Sequence, residues 1–293
     1  MKLHIASDVE RNVRAAISHD DVSKFDELAS PLKWGRPSWS VSQLLDQELD
    51  HDEDRLWLWA EALSRHRNPM TRRYAPGILF KLWERGQDRA EQILLTLSDD
   101  EDWLVREYAH SYWGELLKKD FLHVLPIMEK LRASQSANNR RCVAIAARSA
   151  GNLRKDEWGE PLILLLEPLL SDKATYVRKN LGAYAIGDGL LRCYPELTLG
   201  YLRRWSRTKD EGTLWNVAMA FASYGGNKNW EEGMRVLSRL AIDRRPYVSR
   251  AVTSALLYLA RRRPEIRATL EKWKMPPRRE VADAVLKRLC RDK

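Results

Sequence analysis

The chain has 293 residues, 44% hydrophobic and 31% charged, and its 50 Lys and Arg against 41 Asp and Glu give a net charge of +9. Its longest apolar run, Leu162–Leu170, carries Glu167 and Pro168 and is too short to span a bilayer. Cys142, Cys193 and Cys290 lie far apart without CxxC spacing, so neither a zinc site nor a disulfide framework is expected.

At the start of the chain, Asp8, Glu10 and Arg11 come before any apolar stretch can form, so no signal peptide is expected, and reduced thiols suit a cytoplasmic protein. Asp8–Ser18 and Asp21–Leu28 read as short helices, Pro31–Ser40 as a loop, and Ser40–Leu49 and Glu53–His66 as further helices. In the last of these, Trp57, Trp59, Ala60 and Leu63 share a stripe. The 12 tryptophans against 4 phenylalanines suit inter-helix packing, with a few left to line a groove. No segment sustains the period-two alternation of strands, so the fold class is all-α.

From His66 onward a repeat appears. Aligning on Arg72, Arg106, Arg141, Arg178, Asn216 and Ser249 gives spacings of 34, 35, 37, 38 and 33 residues. Six positions upstream stand His66, Asp100, Gln135, Asp172, Asp210 and Asp243. Two helices per unit at this period mean a solenoid, and the Asp-turn-Val-Arg frame looks like HEAT-type repeats. The second helix of each pair is expected near Asp102, Asn138, Thr175, Gly212 and Pro246, and these helices should line the ligand-facing surface. Asp100, Asp172, Arg106 and Arg178 also suit a purely structural ladder between repeats. In Ser171–Trp205 the reading is a turn, a helix, a break at the glycines and Pro195, and a second helix. The expected organisation is one continuous domain: an irregular helical part over 1–65, repeats over 66–263, and capping helices over 264–293. In the cap, Leu286 and Leu289 should point inward and Arg278, Arg279, Lys287, Arg288 and Arg291 outward. Arg239–Lys293 holds 16 Lys and Arg against 6 Asp and Glu, an excess that suits a polyanion.

No H-E-x-x-H, P-loop, G-x-S-x-G or G-x-G-x-x-G is present, so neither a metal centre nor a nucleotide cofactor is expected. The central repeats do resemble a family. Tyr176-Val177-Arg178-Lys179, Tyr194-Pro195-Glu196-Leu197 and Leu202-Arg203-Arg204-Trp205 follow, in order and spacing, a pattern of the DNA alkylation repair proteins of the AlkC/AlkD superfamily. Asn139-Arg140-Arg141 and Trp103-Leu104-Val105-Arg106 match further units, and the resemblance covers roughly Glu101–Ala222. It implies a right-handed α-solenoid that binds duplex DNA and excises cationic alkylated bases without a cofactor. A carboxylate there would stabilise the charge developing at C1′. Carried over by position, one family acid falls on Asp102, a second on Gly187 beside Asp188, and a third on Ile145, so Asp102 and Asp188 are the catalytic candidates. Trp103, Trp158 and Tyr184 are the aromatic contacts, and Arg140, Arg141, Lys179, Arg244, Arg245, Arg278 and Arg279 the phosphate contacts. The other reading is a non-enzymatic scaffold that binds a protein or peptide on the same face.

Overall fold

The computed structural model describes residues 4–32 and 35–291. Every regular element among the described residues is helical, so the all-α expectation holds. None of these helices is long and apolar enough to cross a membrane. The contacts divide the chain into an N-terminal unit, Met1–Leu116, and a C-terminal unit, Leu117–Lys293.

The N-terminal unit contains α1 (Ser7–Ser18), α2 (Val22–Ala29), α3 (Arg36–Leu49), α4 (Glu53–Ser64), α5 (Pro69–Arg72), α6 (Ala75–Leu82), α7 (Gln87–Ser98) and most of α8 (Trp103–Lys119). Its core is mostly aliphatic, with the buried indoles Trp57, Trp59, Trp83 and Trp113 set among leucines. Phe25 meets the edges of Trp59 and Tyr74 at 5.3 and 5.6 Å, and Trp83 meets Trp113 at 5.8 Å. Each buried indole N–H needs an acceptor, and Trp113 donates to Ser98 Oγ at 2.9 Å. One expectation fails here: α3 begins at Arg36, inside the stretch read as a loop. Gly35, at φ 110°, supplies the left-handed entry, and Pro37 sits in the first turn, where no N–H is needed. Lys33 and Trp34 of that loop lie outside the described residues.

In the C-terminal unit the helices form hairpins in series. The first helices are α9 (Phe121–Arg132), α11 (Asp156–Leu166, followed by a 3₁₀ turn, Glu167–Ser171), α13 (Pro195–Trp205), α16 (Trp230–Leu240) and α18 (Pro264–Glu271). The second helices are α10 (Ala137–Gly151), α12 (Thr175–Asn180) running on into a π-helical stretch (Leu181–Leu191), α14 (Glu211–Ala220), α17 (Pro246–Ala260) and α19 (Arg278–Arg291). A short helix, α15 (Tyr224–Lys228), precedes α16. The second helices pack in sequence, α10 on α12 and the π stretch, that stretch on α14, α14 on α17, and α17 on α19. Likewise α11 packs on α9 and α13, and α13 on α16. This stacking of hairpins into two walls is the helical-repeat architecture the periodicity predicts.

The repeat register has a physical cause. Near the start of the second helix, one arginine turns back and donates through Nη1 to the carbonyls six and five residues earlier. Arg72 bonds His66 and Arg67, Arg106 bonds Asp100 and Glu101, Arg140 bonds Ser134 and Gln135, and Arg178 bonds Asp172 and Lys173. The repeated position is therefore Arg140, one residue before the Arg141 of the sequence alignment. The ladder uses the expected Asp100 and Asp172, but its arginines are Arg72 and Arg140 and not Arg106 and Arg178: Arg72 bonds Asp100 at 2.8 and 2.9 Å, and Arg140 bonds Asp172 at 2.6 and 3.2 Å. The Asp172 bond holds the Arg140 guanidinium above its ordinary pKa.

Two further expectations change. The glycines after Tyr184 do not break the helix; the chain stays helical to Leu191 and turns only before Pro195. Those glycines permit close approach instead. A Cβ on Gly187 would lie 2.5 Å from the Ala220 carbonyl oxygen, and one on Gly225 would lie 2.2 Å from that of Gly187. In α19 the buried stripe is Val281, Ala282 and Val285, with Leu286 and Leu289 only half-buried.

Candidate nucleic-acid interface

The two walls of the C-terminal unit differ in charge. The five second helices, including the π stretch, carry 11 Lys and Arg against 4 Asp and Glu. The five first helices and the 3₁₀ turn carry 7 against 10. The second-helix wall is thus strongly basic and its counterpart mildly acidic.

Along the basic wall, cations of one helix lie over rings of another. Arg141 and Arg148 stand seven residues apart on α10, and Tyr176 and Tyr184 eight apart on the neighbouring rod, so each pair shares a helical face. The Arg141 guanidinium lies 4.6 Å from the Tyr176 ring centre and that of Arg148 lies 4.2 Å from Tyr184. Farther along, Arg178 lies 5.6 Å from the Tyr247 ring, which stacks on Trp215 at 5.6 Å and 13°. A guanidinium stacked on a ring directs its N–H donors in plane, the geometry that meets phosphate oxygens. Of these three, Arg141 is buried and Arg178 donates to carbonyls of its own turn, which leaves Arg148 the better placed. Arg148, Trp215 and Tyr247 escaped the sequence reading, and Tyr176 entered it only as part of the family motif. The seven- and eight-residue spacings were the available signal for Arg148 and Tyr176.

The sequence-predicted residues are distributed unevenly. On the basic wall, Asp188 is half-buried in the π stretch and its Oδ1 accepts the Tyr224 N–H at 2.7 Å. Tyr184 lies one turn before it, under Arg148. Arg141 is buried, whereas Lys179 is exposed. Arg140 has Nε, Nη1 and Nη2 engaged with Asp172 and two carbonyls, which gives it a structural task. Trp158 is on α11 of the other wall, 7% exposed and stacked on Phe121 at 4.2 Å, so it is a packing residue there.

Arg244 is exposed, while Arg245 is tied to Asp243 and to the Lys209 carbonyl. The Arg245 hydrogen bond holds the Asp243 carboxyl below the usual range. In α19, Arg278 donates to the Ser238 carbonyl at 2.8 Å and Arg279 approaches Asp283 at 3.5 Å. In the N-terminal unit, Asp102 caps α8 by accepting the N–H of Leu104 at 2.8 Å and of Val105 at 3.4 Å, and Trp103 beside it is 57% exposed. The Arg203-Arg204-Trp205 triplet belongs to the first-helix wall: Arg204 and the Trp205 indole both donate to Glu167, and Arg203 pairs with Glu232. Among the described residues no cluster of three or more His, Cys, Asp or Glu side chains is arranged to hold a metal ion.

No family model and no curated protein matches the chain. Among solved structures, the chain is similar to the X-ray structure of YibA from Escherichia coli. The TM-score is 0.43 at 17% identity, over 99% of both chains. An engineered protein is similar at a TM-score of 0.35 and 13% identity, over 97% of this chain and 86% of that one. Neither likeness carries a functional inference.

Proposed function

We propose that the second-helix wall of the C-terminal unit binds duplex DNA, in keeping with the alkylation-repair resemblance of its central repeats. The observation that carries this reading is the charge partition, 11 cations against 4 anions on one wall and 7 against 10 on the other. A polyanion lying along the basic wall neutralises repulsion among its cations and releases counterions. The half-exposed rings between the arginines add flat surface for sugars and bases.

In this reading Asp188 is the carboxylate for base excision. Its Oδ1 is fixed by the Tyr224 N–H, and Oδ2 accepts no hydrogen bond among the described residues. An anion held near C1′ favours the oxocarbenium character that grows as the C1′–N bond breaks. The bonding pair leaves with the cationic base, water adds its oxygen to C1′, and the spare proton passes to solvent. Asp102 is the second candidate for this task.

The test measures free methylated base released from alkylated duplex DNA by wild type, Asp102→Asn and Asp188→Asn, with affinity measured alongside. The expected result is release that falls about 10²-fold in Asp188→Asn at unchanged affinity. Binding without release by wild type would remove the enzyme. Charge reversal at exposed Lys179 and Arg250 should weaken duplex binding about tenfold or more. Unchanged affinity would transfer the wall to a protein or peptide partner.

A further inference from the structure

The acidic wall contains one basic exception. Where α13 packs against α16, four arginines converge on a groove of about 210 Å³. Arg203 comes from the last turn of α13 and Arg207 from the turn that follows it, and Arg235 and Arg239 from successive turns of α16. Ser206 and Val236, both nearly buried, form the floor, and the Ser206 hydroxyl donates to the Arg203 carbonyl at 2.8 Å.

One carboxylate, Glu232, lines the groove and pairs with both Arg203 and Arg235, leaving the groove at +3. It holds these two guanidinium groups in place. Arg207 and Arg239 are exposed, and neither has a carboxylate partner among the described residues. The surroundings limit what fits: Glu167, Glu196, Glu231 and Glu265 lie on the same wall. An extended polyanion along it would meet these charges, whereas a compact anion confined to the groove would not.

We propose that this groove binds a single phosphate dianion of the monoester type. Arg207 and Arg239 make the direct contacts, and Arg203 and Arg235 supply the field behind them. Planar guanidinium forks match the oxygens of a tetrahedral phosphate in paired hydrogen bonds, which a lone carboxylate ligand satisfies less fully. A phosphomonoester carries close to two negative charges at neutral pH, suited to a +3 site. This site is separate from the DNA-binding reading and stands or falls without it.

The experiment titrates the full chain with inorganic phosphate and, separately, with a short phosphoserine peptide and its unphosphorylated twin. Wild type is compared with the Arg207→Gln, Arg239→Gln double variant after thermal melts show equal stability. The expected result is binding of phosphate-bearing probes alone, weakened about tenfold or more in the double variant. Duplex DNA should neither compete nor lose affinity. Tighter binding of the phosphopeptide than of phosphate would identify a phosphorylated chain as the source, and equal binding a small phosphate. Absence of phosphate binding at millimolar concentration, equal binding by the variant, or displacement by duplex DNA would overturn the proposal.

Discussion

Single side chains in this protein close contacts that their neighbours in sequence do not announce. Asp20 sits at φ 53°, between α1 and α2, and accepts from Arg55 at 2.8 and 3.0 Å and from the Trp59 indole at 2.7 Å. The Arg55 hydrogen bond holds its carboxyl below the usual range, against partial burial, and the indole N–H adds to the effect. A depressed carboxyl contributes stability above its unfolded pKa of about 3.9 and loses it as pH falls through the lower folded value. Asn tolerates the left-handed backbone, so Asp20→Asn isolates the charge. It should cost about 1 kcal/mol at neutral pH, given the partial exposure of the pair. Urea unfolding should show that cost shrinking to nothing as pH drops below about 4; a cost independent of pH would discard the assignment. The stripe holding Trp59 was legible from helical spacing. Its tie to Asp20 was not, because the two are 39 residues apart. The same blindness hid Arg148 and Tyr184 as a pair and shifted the repeat from Arg140 to Arg141, since adjacent arginines look alike until one of them finds Asp172.

At the scale of the helix, the repeat frame made the starts readable, and caps support some of them. The second helices were expected near Asp102, Asn138, Thr175, Gly212 and Pro246, and begin at Trp103, Ala137, Thr175, Glu211 and Pro246. Ser136 accepts the Asn138 N–H and Asp210 accepts that of Thr213, local signals that a sequence displays openly. The π stretch was misread because glycine is a poor helix former in isolation, and the contact that excuses it lies on another helix. Two substitutions separate these cases. Gly225→Ala drives a Cβ to within 2.2 Å of the Gly187 carbonyl oxygen and 2.9 Å of the Arg192 amide, both backbone atoms with little room to move. It should destabilise by about 3 kcal/mol. Gly200→Ala, within α13 and with no neighbour inside 4 Å, should instead stabilise by about 0.5–1 kcal/mol. Denaturant melts of the two variants give opposite signs if close approach is what glycine serves at position 225. A neutral Gly225→Ala would show the helices free to separate.

Over the whole molecule the informative quantity is where charge accumulates. The C-terminal excess of 16 cations over 6 anions in Arg239–Lys293 was countable directly. Its division between walls was not, because that depends on which helix of each hairpin a residue occupies. With the hairpins in place, Lys179 and Arg250 belong to the basic wall, whereas Arg203 and Arg239 belong to the groove on the acidic one. Salt dependence reads this arrangement. Of the 11 cations on the basic wall, Arg140 and Arg178 are held by carbonyls of their own turns, and Arg140 also by Asp172. If about five of the others reach phosphates, log affinity against log salt should fall with a slope near −4.5. Binding would then weaken several hundred-fold between about 50 and 200 mM salt. Lys179→Glu should make that slope shallower by about one, because an exposed cation on a phosphate contributes to affinity without contributing to sequence preference. A slope of about one or less would mean that few phosphates are neutralised on this wall. The stacked Trp215 and Tyr247 would then be the better anchor, and a peptide the better ligand, since a desolvated aromatic contact responds little to salt.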